Sequence, residues 1–221
     1  MTKAEKLYDV MMRSPVIALF SYFLVREISA LREIVGYHPY FGGDWPFLAT
    51  IAGRVSILIL LTVSVCFHAS RYRPISKYPT WYPKITALSG MLFANFILLT
   101  PRATSHALWD SASTILIFVG TVMSILVIFD LGRSVSVMPE ARKLVTSGLY
   151  RHVRHPLYLV EEIAVLGILL QFRSWQGLLI LAVHFYLQVR RMDWEEGILA
   201  TAFPDYAGYK QGTYRLIPKL Y

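Results

Sequence analysis

The sequence contains little charge and almost no cysteine. Only 16% of its 221 residues are charged and 55% are hydrophobic, whereas soluble domains carry about 25% charged residues. Cys66 is the single cysteine, which excludes a disulfide within the chain and a metal cluster built on cysteine. The shortage of charge argues against a soluble helical domain and favours a surface that is largely covered by lipid.

Three further absences reduce the number of functions that the sequence can support. No G-x-G-x-x-G motif follows a strand pattern, so the sequence does not indicate a Rossmann dinucleotide site. No charged segment leads into a short apolar core with a small-residue cleavage site, so we expect no removable signal peptide. Basic residues do not alternate with aromatic residues in a sheet pattern, so we expect no nucleic-acid partner. The net charge of +8 fits contact with anionic lipid headgroups better.

Long apolar stretches are abundant instead. Two of them, 47–69 and 112–131, approach the ~20 residues that cross the hydrocarbon core of a bilayer. The last two are separated only by Arg173 and Ser174, which predicts a helical hairpin. We therefore expect an all-α integral membrane protein with about five to six transmembrane helices and a C-terminal helical hairpin. The stretches are 15–35, 47–69, 84–100, 112–131, 157–172 and 174–190.

Lysine and arginine lie in alternate loops. Residues 71–84 carry basic side chains and no acidic ones, whereas the loops 36–46 and 101–111 offer only Arg102. The positive-inside rule assigns the basic segments to the cytoplasm. This placement predicts that both termini are cytoplasmic, together with the polar region after Gly132.

The first polar motif is SGLYRHVRHPLYLVEE. On a helix that begins near its proline, His155, Tyr158 and Glu162 share one face, and Arg154 and Glu161 lie one heptad apart on a neighbouring face. Ionisable residues in an apolar segment are functional candidates, although two buried structural ion pairs would give the same pattern. We expect Glu162 to orient His155 and Tyr158, and Glu161 to neutralise Arg154.

The second polar motif is HFYLQVRRMDWEEGIL, residues 184–199. His184, Gln188, Arg191 and Glu195 fall on one stripe of a helix. Arg191 and Glu195 have the i,i+4 spacing of an ion pair, which at a solvated helix end contributes little stability.

A metal site is not predicted. His152 and His155 are three residues apart, but no further ligand follows at a suitable spacing, and two nearby arginines would oppose a cation.

A family resemblance is carried by two segments, GRSVSVMPEARKLVTSGLYRHVRHPLYLVEE and RRMDWEEGILATAFPDYAGYKQGTYRLIP. They closely resemble the isoprenylcysteine carboxyl methyltransferase family, and they look related to the wider group of membrane phospholipid methyltransferases. The resemblance spans residues 132–217. It depends on the combination of LVTSGxY, RHPxY, a short hydrophobic hairpin, R-x-x-x-E-E and FPxYxxY ahead of a proline.

The resemblance implies an integral membrane enzyme that uses S-adenosylmethionine without a Rossmann domain. Residues 1–131 would be transmembrane helices that face lipid and the acceptor, and residues 132–221 the methyltransferase catalytic region with a cytoplasmic cofactor site. The implied catalytic residues are Arg191, which would bind the acceptor, Glu195 and Glu196. The implied cofactor-binding residues are Arg142, Lys143, Leu144, Val145, Tyr150, His155, Pro156, Leu157, Tyr158 and Glu195.

The implied acceptor is a lipophilic carboxylate, as in protein-S-isoprenylcysteine carboxyl O-methyltransferase. A carboxylate is ionised at neutral pH and needs no general base. If the acceptor were a phospholipid amine, it would have to lose a proton, and His155, Glu195 or Glu196 would matter as a base. A third reading is an NADPH-dependent sterol-type membrane reductase, because sterol reductases share a similar hairpin. A fourth is a non-catalytic membrane scaffold.

Overall fold

The structure is a computed structural model that describes residues 3–37 and 45–219, with side chains for residues 7–36 and 47–219. Much of the predicted loop 36–46 and both chain ends lie outside the described residues. The regular secondary structure of the described chain is helical apart from two strands of two residues each. It forms two compact units, one ending at Ser70 and the other beginning at Arg71. The division predicted at residue 131 separates a transmembrane part from a catalytic region. It concerns the functions of the two parts and not their packing, so it stays a prediction.

The first unit consists of two long helices, α1 (Lys3–Tyr37) and α2 (Trp45–Ser70). They pack antiparallel, because Phe20 contacts His68 near one end and Glu27 contacts Arg54 further along. Both carboxylate oxygens of Glu27 accept from Nη1 of Arg54 at 3.1 Å. Glu27 lies within the first apolar stretch, 15–35, and its charge is thus neutralised by Arg54 of the neighbouring helix.

The first helices of the second unit are α3 (Tyr82–Phe93), which continues as a 3-10 turn over Ala94–Leu99, and α4 (Ala107–Leu131). Four segments of the described chain are long and apolar enough to cross a membrane: 7–36, 47–70, 82–99 and 107–134. Large apolar side chains such as Leu99, Leu108 and Ile115 are exposed, as expected for helices that face lipid. The fold is therefore that of an all-α integral membrane protein, as predicted.

The last two apolar stretches form the predicted hairpin. Helix α5 (Pro156–Phe172) begins at a proline, whose missing N–H costs nothing in the first turn. Arg173 then adopts a left-handed backbone conformation, and Ser174 caps helix α6 (Trp175–Ala202) by accepting from the Gly177 N–H at 3.0 Å. The cap and the left-handed residue together reverse the chain within two residues.

Helices α4 and α5 approach each other closely because glycine lies at their contact. A Cβ added to Gly120 would come within 2.7 Å of the Ala164 amide nitrogen and 2.9 Å of the Val160 carbonyl. Small residues at helix contacts permit such close backbone packing in membranes. The contact fixes the start of α5 against the end of α4, where the polar loops begin.

Three short elements order the polar loops around this end of the hairpin. Strand β1 (Ser76–Lys77) pairs antiparallel with strand β2 (Glu140–Ala141). Helix α7 (Tyr206–Gln211) follows α6, and the tail after it binds the loop before α5, where the Arg154 N–H donates to Tyr214 O at 2.8 Å. The site described next lies within the second unit.

Candidate functional site

A cavity opens where the polar loops meet the ends of α4, α5 and α6. Its space, counted to its open mouth, is about 860 Å³. Its lining residues are Leu131, Ser134, Ser136, Met138, Glu140, Arg142, Lys143, Leu144, Val145, Tyr150, Arg154, His155, Leu157, Tyr158, Arg191, Glu195, Ile198, Leu199, Tyr206 and Tyr209.

The cavity gathers most of the predicted site residues. All of them line it except Pro156 and Glu196. Pro156 is buried as the first residue of α5 and shapes the helix start. The loop around residue 143 and the start of α5 therefore meet the second half of α6, which lies further along the chain.

Glu195 presents a carboxylate to the cavity. The Tyr158 hydroxyl donates a hydrogen bond to its Oε1, and His155 Nδ1 lies 3.8 Å from its Oε2. The side chain is 24% exposed, so the carboxylate is held on one side and open on the other. It can accept a cationic group from a ligand.

Arg191 brings a buried positive charge to the same cavity. It is 5% exposed, its Nη1 donates to Gln188 Oε1 at 2.7 Å, and its guanidinium lies 4.7 Å from the centre of the Tyr158 ring. Its Nε has no hydrogen-bond partner among the described residues. This unused donor can bind an anionic group.

Gly90 on α3 makes room for Arg191. A Cβ at this position would collide with Cδ of Arg191 and would lie 3.3 Å from Gln188 Oε1. A side chain here would push the guanidinium out of its place. Sequence reasoning missed Gly90, because nothing in the local pattern shows which helix packs there.

The predicted partners of Glu161 and Glu162 were wrong. Glu161 Oε2 accepts from Gln188 Nε2 at 3.3 Å rather than neutralising Arg154. Glu162 Oε1 lies 3.0 Å from His184 Nε2 rather than orienting His155 and Tyr158. Both glutamates face α6, because α5 and α6 are antiparallel and the polar stripe of α6 runs alongside them.

The i,i+4 pair predicted between Arg191 and Glu195 is also absent from the described ion pairs. Arg191 instead donates to Gln188, one turn earlier on α6, and Glu195 contacts Tyr158 and His155. The two charges belong to the same cavity without neutralising each other directly.

The loop before the cavity is held by Arg142. Its Nη2 donates to Glu140 Oε2 at 2.5 Å, and its Nη1 donates to the Tyr72 carbonyl. Both partners of the Arg142–Glu140 pair are buried. Arg142 therefore lines the cavity, but these two donors bind Tyr72 and Glu140 of the protein. Its neighbour Lys143 is exposed.

The next loop depends on Gly148 and Asp130. Gly148 has a φ of +60°, which favours glycine, and a Cβ there would collide with the Asp130 carboxylate. Asp130 Oδ2 accepts from the Leu149 N–H at 2.8 Å. This capping directs the following Tyr150 inward, where it packs with Val127 and Val160. Asp130 precedes the recognised motifs and was not predicted.

Glu196 lies in a separate group of charges, which we call the Glu196 cluster: Arg154, His155, Glu196, Lys210 and Arg215. Its Oε2 lies 2.8 Å from Lys210 Nζ, and its Oε1 lies 3.2 Å from each of Arg154 Nε, His155 Nε2 and Arg215 Nε. Burial opposes ionisation of Glu196, but these hydrogen bonds and positive charges outweigh it and hold its pKa well below the usual value. The carboxylate binds the loop and the tail to α6 and does not reach the cavity.

Two further tyrosines line the cavity from α7. Tyr209 donates its hydroxyl hydrogen to the Tyr150 carbonyl at 2.7 Å, and burial, partly offset by the Arg154 charge, raises its pKa to about 12. Tyr206 is 2% exposed, and burial together with the negative charge of Glu196 raises its pKa well above the usual value. The FPxYxxY element contained both residues but did not indicate a role for either.

No group of three or more His, Cys, Asp or Glu side chains among the described residues could hold a metal ion.

Comparisons with known proteins give a family match and a similarity to a curated relative. Residues 109–206 match the family model described as phospholipid methyltransferase. A stretch of 78 residues is 37% identical to the cobalt-zinc-cadmium resistance protein CzcN of Cupriavidus metallidurans and covers 35% of this chain and 36% of that protein. The chain thus spans about a third of the length of this curated relative.

The family match includes most of α4, the loops between α4 and α5, the hairpin and the first residue of α7, and hence most of the cavity lining. It confirms the resemblance to phospholipid methyltransferases that the motifs predicted, whereas the closer resemblance to isoprenylcysteine carboxyl methyltransferases stays a prediction. Residues 109–206 are similar to the membrane phospholipid methyltransferases, which supports a membrane methyltransferase.

Proposed function

We propose that this chain is an S-adenosylmethionine-dependent membrane methyltransferase that methylates a carboxylate of a lipophilic acceptor, most like protein-S-isoprenylcysteine carboxyl O-methyltransferase. One observation carries the proposal. A single cavity presents an open carboxylate, Glu195, and a buried guanidinium with an unused donor, Arg191. These groups suit the ammonium of the cofactor and the carboxylate of the acceptor, respectively.

The residues of the cavity fit the cofactor. S-Adenosylmethionine would supply an electrophilic methyl group on a sulfonium. Glu195 would pair with its ammonium, and the exposed Lys143 would pair with its carboxylate. The rings of Tyr150 and Tyr158, both in the lining, suit the adenine and the sulfonium charge. Apolar residues such as Leu144, Leu157 and Ile198 would exclude water from the reacting atoms.

The protonation chemistry favours a carboxylate acceptor. A carboxylate is already a nucleophile at neutral pH, so positioning supplies most of the catalysis. His155 would be the obvious base, but Glu196 Oε1 lies 3.2 Å from its Nε2 and Glu195 Oε2 lies 3.8 Å from its Nδ1. Its ring nitrogens are thus directed at carboxylates of α6. Arg191 would also repel an ammonium and attract a carboxylate.

Methylation of a phospholipid amine is the second candidate, because the matched family model bears that description. An amine must lose a proton before it attacks, and Glu195 is the lining carboxylate best placed to take it, since its other side is open. In this case Arg191 would bind the phosphate of the lipid instead.

A methylation assay separates the two candidates. Purified protein in detergent is given labelled S-adenosylmethionine with a prenylcysteine analogue, the same analogue with its carboxylate amidated, or vesicles of phosphatidylethanolamine. Label transfer to the free carboxylate alone supports the proposal. Transfer to the lipid amine alone selects the second candidate. Calorimetric titration with S-adenosylhomocysteine and with NADPH adds a direct test, since binding of NADPH alone would instead favour the reductase reading.

We also propose that both termini face the cytoplasm. The alternate placement of lysine and arginine supports this topology. Reporter fusions to each end measure it, and a C-terminal reporter that is active only outside the cell would contradict it.

A further inference from the structure

The Tyr206 hydroxyl is a buried donor whose hydrogen bonding is unusual. Tyr206 begins α7 and is 2% exposed, yet its oxygen has no hydrogen-bond partner among the described residues. Buried hydroxyl groups in folded proteins are almost always hydrogen-bonded, because an unmade bond costs the full desolvation of the group. This exception therefore requires an explanation.

The neighbouring tyrosines have no such deficit. Tyr209, on the same helix, donates to the Tyr150 carbonyl at 2.7 Å, and Tyr158 donates to Glu195. All of these tyrosines line the cavity. The hydroxyl groups of Tyr209 and Tyr158 thus connect residues of the cavity wall. The hydroxyl of Tyr206 makes no such contact with a described residue.

The chemistry of Tyr206 suits a donor and not a base. Burial and the nearby negative charges of Glu196 and Glu195 raise its pKa, so the phenol keeps its proton at neutral pH. A neutral phenol can donate one hydrogen bond to an oxygen or nitrogen of a ligand.

We propose that Tyr206 is a further cofactor-binding residue, whose hydroxyl donates a hydrogen bond to a polar atom of the S-adenosyl ligand in the cavity. The inference rests on the proposed function and adds a residue that the motif comparison did not assign a role. The hydrogen bond that the Tyr206 hydroxyl does not make in the free protein would then form when the ligand binds.

The test compares Tyr206→Phe with Tyr209→Phe, a matched change on the same helix. S-Adenosylhomocysteine affinity is measured by calorimetry, and the melting temperature is measured on ligand-free protein in detergent. For Tyr206→Phe we expect about tenfold weaker binding, the loss typical of one hydrogen bond, with a melting temperature equal to or above wild type. For Tyr209→Phe we expect a lower melting temperature, because an internal hydrogen bond is lost.

Three outcomes would overturn the inference. Wild-type affinity in Tyr206→Phe would show that the hydroxyl does not contact the ligand, while the proposed function would stand. A clearly lower melting temperature of ligand-free Tyr206→Phe, or its failure to fold, would show that the hydroxyl already has a partner, such as a buried water. If the wild-type protein bound no S-adenosylhomocysteine, the proposed function would fail and the inference with it.

Discussion

The cavity and the Glu196 cluster lie side by side but differ in how completely their charged side chains are paired. In the Glu196 cluster one carboxylate has cationic partners on both oxygens and is 8% exposed. In the cavity Glu195 is 24% exposed, and the Nε of Arg191 has no hydrogen-bond partner in the described part of the chain. Buried charges are costly unless they are paired, so the filled cluster suits a structural role and the unfilled cavity suits a ligand.

Adjacent glutamates on one helix thus face different surroundings. Successive residues of a helix point about 100° apart, so Glu195 meets Tyr158 and the cavity while Glu196 meets Lys210 and Arg215. Sequence reasoning grouped the two as catalytic because they share a motif. The contacts support a ligand-binding role for Glu195 and a positioning role for Glu196, which holds Arg154 and His155.

The largest effect is expected from Arg191→Ala. If Arg191 anchors the acceptor, turnover should fall about 100-fold, as for the loss of a charged anchor, while S-adenosylhomocysteine binding stays close to wild type. Arg191→Lys should also be impaired, because an ammonium cannot reproduce the planar fork of the guanidinium. Turnover and binding are measured on the same detergent-solubilised samples.

Arg190→Ala is the matched control for this prediction. Arg190 is the neighbouring residue but pairs with Asp193 at 3.2 Å in a half-exposed position, so its loss should leave turnover nearly unchanged. Full activity in Arg191→Ala would remove the residue from the acceptor site.

Replacing each of the adjacent glutamates in turn tests the comparison between the cavity and the Glu196 cluster directly. Glu195→Gln should weaken S-adenosylhomocysteine binding about tenfold, because the cofactor ammonium loses its counter-charge, with little loss of stability. Glu196→Gln should lower the free energy of unfolding by about 2 kcal/mol through its charged hydrogen bonds, with much less effect on binding. Thermal melting and calorimetry on both variants measure the two effects. The reverse pattern would mean that the roles have been assigned to the wrong glutamate.

Gly90→Ala should have a moderate effect. The added Cβ would collide with Cδ of Arg191, and a displaced guanidinium should lower turnover about tenfold, since small misplacements of binding groups reduce rates strongly. Gly53→Ala in α2 is the control, because a Cβ there meets nothing within 4 Å. Unchanged turnover in Gly90→Ala would show that Arg191 can relocate freely.

The smallest effect is expected from pH. The pKa of Glu196 is lower in the folded protein than its usual value of 4.5. The ionised carboxylate therefore stabilises the fold fully above about pH 4.5, and this stability is lost as the pH falls below that value toward the folded-state pKa. Melting temperature measured between neutral pH and about pH 3.5 should fall more in wild type than in Glu196→Gln. Equal acid sensitivity would assign the effect to other carboxylates.

Helix positions could be predicted where apolar runs are bounded by chain-reversing residues. The hairpin turn at Arg173 and Ser174 was located correctly, because a left-handed residue and a serine cap follow the apolar run. Helix α6 nevertheless continues to Ala202, beyond the predicted end of its apolar stretch at 190. Its polar second half stays helical since it packs against the loops and the C-terminal tail. Hydropathy indicates which segments avoid water and does not indicate where a helix ends.

The partners of individual charges could not be predicted. Spacing placed Arg154 opposite Glu161 along one helix, but Arg154 pairs with Glu196, and Glu161 accepts from Gln188. Such pairs join α5 and its preceding loop to α6. They depend on how closely the two helices approach and on how each is rotated about its axis, which local periodicity does not contain.

The sequence alone determined that the chain is an all-α membrane protein with a polar region after Gly132, because apolar length and charge placement reflect the free energy of contact with lipid. It also indicated most of the residues that line the cavity, since they lie in recognisable motifs. Only the tertiary structure decided that Glu195 faces the cavity while Glu196 is neutralised beside it, that Gly90 admits Arg191, and that the Tyr206 hydroxyl has no hydrogen-bond partner among the residues the structure describes. These features depend on contacts between segments far apart in the chain, and folding alone brings such segments together.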